Sequence, residues 1–232
     1  MIRSIQGTSL IEFPGKIASV LFSAGCNYAC PFCHNPELVN PGLLDGELSI
    51  SHREILEELI QRRGFIDGVV LTGGEPLFHR DNIDLLRRIK EETGLAVKLD
   101  TNGSYPGRLE EALPFVDYVA MDLKASPENY IFATGGRGSW EPVAESAGLI
   151  MESGKPCEFR TTMVPGVVNA DDVTSLLRTL KPGKPKKYVL QRFRSEKTLS
   201  DELKGMPSYP SEYLQELADS IGDMAEEVQL RI

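Results

Sequence analysis

Three cysteines, Cys26, Cys30 and Cys33, fall in the short stretch GCNYACPFCHN, and the fourth, Cys157, lies more than a hundred residues further on. A closed metal site made of thiolates takes four ligands. The trio therefore needs either a histidine or a ligand from outside the chain. His34 adjoins Cys33, which is poor geometry for sharing one ion with it, and His52 and His79 have no matching spacing. Zinc sites usually pair two close cysteines with two distant ligands. An iron–sulfur cube with only three cysteine ligands would leave one iron free to bind something else. Incidental buried cysteines are the remaining reading.

Composition narrows the setting. The chain has 232 residues, 41% of them hydrophobic, and a formal net charge of −9. That is enough for one substantial core. The negative balance argues against nucleic acid or an anionic membrane as the main partner. The opening MIRSIQGTSL shows no apolar signal region and no apolar run approaches a membrane span, which together point to a cytoplasmic protein. In a reducing compartment, clustered cysteines more often mean metal or redox chemistry than disulfides.

Short apolar runs recur at 17–23, 68–72, 95–101, 117–123, 157–164 and 187–193, patterned as strands buried on both faces. Helical patterns lie between them. One begins with Ser51 and Glu54 in capping-box spacing, one ends at Gly94, one ends at Gly154, and one opens with Asn169 as cap. A last amphipathic helix over about 211–228 spaces Leu214, Leu217, Ile221, Met224 and Val228 at alternating threes and fours. Strand alternating with helix, about six times, predicts an α/β fold with parallel βα units. Six units are too few for a closed eight-fold barrel. Every unusual motif sits at the end of an expected strand, where barrels build active sites, so an incomplete TIM-type barrel is favoured over a doubly wound sheet. One domain is expected over 1–232, with its core at about 15–194.

Those motifs are weak singly and gain weight from their order and distance after the cysteines. LTGGEP closes the second strand, and its glycines let backbone approach a ligand while Glu75 can hold an ammonium. LDTNG closes the third, as an Asn-Gly turn at the least. AMDLKA closes the fourth and sets Asp122 and Lys124 on one side of it. Arg160 interrupts the apolar fifth strand and needs a partner. Gln191 lies on the sixth.

The triplet resembles the CxxxCxΦC signature of the radical S-adenosylmethionine (SAM) enzymes, with Phe32 as the aromatic residue. Together with SLIEFPGKIASVLFSAGC, CHN, GGEP, DTNG, DLK and VPG, it is similar to the activating enzymes of glycyl radical proteins. Within these it is most like the anaerobic ribonucleoside-triphosphate reductase activators, with a layout similar to pyruvate formate-lyase activating enzyme. The match runs from about residue 6 to about residue 194. It implies a 4Fe–4S cluster on Cys26, Cys30 and Cys33, with SAM on the fourth iron. It implies that Gly73, Gly74 and Glu75 meet the SAM amino group, and that Asp122, Lys124 and Arg160 meet its ribose and carboxylate. Asp100 and Thr101 would lie near that carboxylate, together with a monovalent cation, and Gln191 is a further contact. Phe32 would shield the cluster and backbone near His34 would meet adenine. The implied activity is that of an oxidoreductase that cleaves SAM to a 5′-deoxyadenosyl radical and takes hydrogen from a glycine of a partner enzyme. Flavodoxin or ferredoxin would supply the electron.

With no cysteine between Cys33 and Cys157, one cluster is the maximum, and Cys157 reads as a small buried residue. The stretch 178–197, with eight Lys or Arg against Glu196 alone, could dock an acidic partner or be a solvated loop. Two rival functions remain: a radical SAM enzyme acting on a small molecule or RNA base, and a non-catalytic metal or electron carrier.

Overall fold

A computed structural model describes residues 1–39 and 49–232. The strands are β1 (Ile2–Ser9), β2 (Ala18–Ser23), β3 (Gly68–Gly73), β4 (Ala96–Thr101), β5 (Tyr118–Asp122), β6 (Cys157–Met163), β7 (Lys187–Arg192) and β8 (Glu227–Arg231). The helices are α1 (Pro36–Val39), α2 (His52–Arg62), α3 (Asp81–Thr93), α4 (Pro106–Ala112), α5 (Tyr130–Ala133), α6 (Trp140–Glu152), α7 (Ala170–Thr179) and α8 (Ser211–Ser220). The strands form one sheet in sequence order, with β1 and β8 as its two edges. This is an α/β fold of the incomplete-barrel class with an open sheet.

The chain divides into two compact units, the first being Met1–Cys26, Glu37–Thr101 and Gly107–Val119. There β1 runs antiparallel to β2, and β2, β3 and β4 are parallel in the register Val20↔Val70 and Val70↔Lys98. Phe13, Ala18, Val20 and Val70 form an apolar cluster with Phe22, Ala96 and Tyr118 packed on it. Helix α2 is closed at its start by a capping box between Ser51 and Glu54, and α3 stops at Gly94, whose φ of 70° suits a residue without a Cβ.

The second unit is Asn27–Pro36, Asn102–Pro106 and Ala120–Ile232. Here β6, β7 and β8 are parallel. Asn169 caps α7 as expected, and Asp172 completes the cap reciprocally. The terminal helix is shorter than its periodicity suggested. α8 ends at Ser220, Gly222–Met224 makes one 3₁₀ turn, and Val228 belongs to β8. Gly222 weakens the helix at that point, and the alternation of half-buried Val228 and Leu230 with exposed neighbours is a strand pattern.

Candidate active site

In the first unit, the GGEP motif turns off the end of β3. Gly73 has φ 126°, and a Cβ there would collide with the Ser23 backbone. A Cβ on Gly74 would collide with the Gly25 carbonyl and lie 3.3 Å from Cys26 Cβ. Both glycines are thus required by the close approach of backbone at the mouth of the cysteine loop. The Gly74 and Glu75 amides donate to Ser23 O (2.8 Å) and Gly25 O (2.9 Å). With those donors engaged, the motif suits a ligand that donates hydrogen bonds, such as an ammonium.

Glu75 is fully buried. Its Oε1 accepts from the Leu77 amide at 2.9 Å, capping the short helix Pro76–Phe78, and from Thr101 Oγ1 at 2.8 Å. Asp100, two residues from Lys98 and on the same face of β4, accepts from the Lys98 ammonium. His79 hydrogen-bonds Ala24 O at 2.8 Å. A carbonyl only accepts, so Nε2 carries the proton. His79 is therefore a clamp on the chain entering the cysteine loop, a role its spacing did not reveal.

In the second unit, the cysteine loop is held at several points. Asn102 Nδ2 donates to Asn27 Oδ1 (3.1 Å), the Ala29 amide to Thr134 O (3.1 Å) and the Ser200 amide to Pro31 O (2.9 Å). Gly135 must be glycine, because a Cβ would strike Ala29 O. Asn102 also accepts from the Ser104 amide at 2.9 Å, and Gly103 has φ 74°, so the expected Asn-Gly turn is present. The anchors Asn27 and Thr134 escaped the sequence reading.

Cys30 is buried, and the Cys33 amide donates to Cys30 O at 3.0 Å in a tight turn. Burial raises the Cys30 thiol to about 11, an effect that nearby Lys124 partly offsets. Phe32 is buried beside them, while His34 is exposed, with its ring 6.2 Å from that of Phe193. Partial desolvation of the ring lowers the His34 pKa. Cys157 is buried and its thiol raised by burial, as a small core residue would be.

The charged residues form a chain. Asp122 Oδ1 accepts from Arg160 Nε at 2.7 Å, and its Oδ2 accepts from Lys124 Nζ at 3.0 Å. Burial alone would raise the Asp122 carboxyl, but Arg160 and Lys124 hold it well below the usual carboxylate range. Burial would likewise lower Lys124, and Asp122 more than reverses this. Beyond Arg160 stands Glu158, 1% exposed, with Arg160 Nη1 at 3.9 Å and Arg231 of β8 at 3.1 Å. Gln191 is half-buried on β7, in register with Thr162 and Arg231. Neither Glu158 nor Arg231 was foreseen. Glu158 shares its face of β6 with Arg160, so alternation alone could have found it.

Residues 20–180 match the model of the radical SAM superfamily. The chain is a radical SAM protein. This radical SAM chain is 30% identical over 223 residues to a Methanocaldococcus jannaschii protein whose name assigns it, provisionally, as a glycyl-radical enzyme activating enzyme, covering 94% of this chain and 90% of that one. It is 33% identical over 142 residues to the pyruvate formate-lyase-activating enzyme of Clostridium pasteurianum, covering 59% and 58% of the two chains. Among solved structures, Streptococcus suis SuiB bound to S-adenosylmethionine superposes with a TM-score of 0.64 at 17% identity, over 91% of this chain and 49% of that one. A domain of a pyruvate-formate lyase-activating enzyme from Bacteroides vulgatus gives 0.55 at 20% identity, over 69% and 98%. At these identities the structural likenesses speak for the fold alone.

The residues suit the cluster and co-substrate that the family implies. Cys30 and Cys33 lie in one turn beside an ammonium that favours thiolates. Among the described residues no three His, Cys, Asp or Glu side chains converge as a single ion would ask. A cube distributes its cysteines over separate irons, and so asks for a wider set. Among the described residues no helix is long and apolar enough to cross a membrane.

Proposed function

We propose that this chain, acting as a single radical SAM domain, activates a glycyl radical enzyme. The carrying observation is the trio Lys124–Asp122–Arg160, a charge cluster that joins the end of β5 to the middle of β6, with Lys124 and Asp122 acting on Cys30. When bound, a reduced 4Fe–4S cluster and SAM supply a 5′-deoxyadenosyl radical that takes a hydrogen atom from a glycine of the partner.

This chain's own residues bind and orient. Cys26, Cys30 and Cys33 would hold the cluster, and Phe32 would exclude water and oxygen beside it. Asp122, held ionised by its two cations, accepts from the ribose hydroxyls. Lys124 and Arg160 face the SAM carboxylate. Glu75, fixed by Thr101 and the Leu77 amide, receives the SAM ammonium, with Gly73 and Gly74 setting its approach. Gln191 and backbone near His34 complete the nucleoside contacts. The similarity to named glycyl-radical activators supports the substrate class.

Anaerobic ribonucleoside-triphosphate reductase is the partner we favour, with flavodoxin or ferredoxin as donor and the cytoplasm as setting. The test mixes reconstituted protein, reductant and SAM with candidate partners. A glycyl radical signal in electron paramagnetic resonance is expected on that reductase. Release of 5′-deoxyadenosine with no radical on any glycyl enzyme would point instead to a small-molecule or RNA substrate.

A further inference from the structure

Lys98 is 1% exposed, one of the largest fully buried side chains of the protein. It stands on β4 in register with Val70, a member of the apolar cluster around Phe13. An ammonium is not carried into such surroundings without an anion beside it. Asp100 is that anion, with side-chain exposures of 2% for Lys98 and 8% for Asp100. The family resemblance had suggested a monovalent cation at Asp100 and Thr101. The residues present do not fit that group. The Lys98 ammonium already sits on Asp100 Oδ1, and the Thr101 hydroxyl already donates to Glu75 at 2.8 Å.

We propose that Lys98 is a built-in replacement for a metal cation, a positioning residue whose ammonium neutralises Asp100 and so fixes the end of β4 against Glu75. The protein then needs neither potassium nor sodium at this place. A compact, strongly hydrated point charge on a flexible stem suits the role: the stem lies along apolar surface while the head meets the carboxylate. The idea deepens the SAM-binding reading of Glu75 and Thr101, but its test does not depend on that reading.

Thermal unfolding of the full chain without cluster or SAM is followed in potassium, sodium and choline chloride at equal ionic strength. Wild type should melt within about 1 °C in all three. Lys98→Met takes the ammonium away from the buried Asp100 carboxylate, and should melt about 10 °C lower in choline. Part of that loss should return in potassium or sodium, which can enter the vacated place. Lys98→Met with Asp100→Leu removes both charges, and should melt near wild type with no response to the cation. A wild type stabilised by several degrees in potassium or sodium over choline, with the gain gone in Asp100→Asn, would overturn the proposal. So would a Lys98→Met variant and a double variant that fall equally far. A failure of the protein to bind SAM would leave these melts unchanged, so the two ideas fail separately.

Discussion

Arg231 on β8 donates from one nitrogen, Nη2, to both carboxylate oxygens of buried Glu158 on β6, at 3.1 Å each. Glu158 is also 3.9 Å from Arg160, whose Nε holds Asp122. Without Arg231, Glu158 would compete with Asp122 for the Arg160 guanidinium. Arg231→Met should therefore weaken SAM binding by about 1–2 kcal/mol, less than for a fully buried pair because Arg231 is 43% exposed. Cluster content should not change. Arg231→Lys should recover part of the loss, since an ammonium restores the positive charge beside Glu158. Equilibrium SAM binding to the reconstituted variants reads this directly.

Removing a cation that we propose touches SAM should cost more. Lys124→Met and Arg160→Met should each raise the SAM dissociation constant roughly 30- to 150-fold, about 2–3 kcal/mol, with three-cysteine iron loading retained. Loss of iron and SAM binding together would mean that these residues support the fold rather than the ligand.

Acid stability follows from Asp122. Its carboxyl is held below its ordinary value, because Arg160 and Lys124 outweigh burial. A depressed carboxyl adds stability above its unfolded value, about pH 4, and loses it as pH falls through the folded one. Urea midpoints should drop between pH 4 and pH 3 in wild type, and drop less in Asp122→Asn. Parallel curves for the two proteins would count against the ion-paired arrangement.

The end of β3 should be intolerant of side chains. Gly74→Ala places a methyl against the Gly25 carbonyl beside Cys26. We expect a loss of about 2–4 kcal/mol in urea unfolding. A change below about 0.5 kcal/mol would show that the β3 end and the entry to the cysteine loop are loosely joined.

Much of this was readable beforehand, and the misses have causes. The six inner strands lie within a residue or two of their apolar runs, because doubly buried strands need continuous apolar sequence. Edge strand β1 has only Ile2 and Ser9 fully buried, so its sequence carries little pattern. β8 was absorbed into a helix because Leu214 to Val228 happens to keep helical spacing, and only Gly222 marked the break. Motif residues were legible through the chemistry they offer. Their buried partners lie outside the motifs: Glu158 precedes Arg160 by two residues, and Lys98 precedes Asp100 by two, each pair sharing one face of a strand. Contacts between distant segments, such as Asn102 on Asn27 or His79 on Ala24, leave no local pattern at all.

The account rests on three cysteines holding a cube whose fourth iron takes SAM. Electron paramagnetic resonance of the anaerobically reconstituted, dithionite-reduced protein, recorded before and after SAM, tests it most directly. A single 4Fe–4S signal that changes on adding SAM, followed by release of 5′-deoxyadenosine, is the predicted result. Bound zinc in place of iron, or a cluster signal indifferent to SAM, would contradict it.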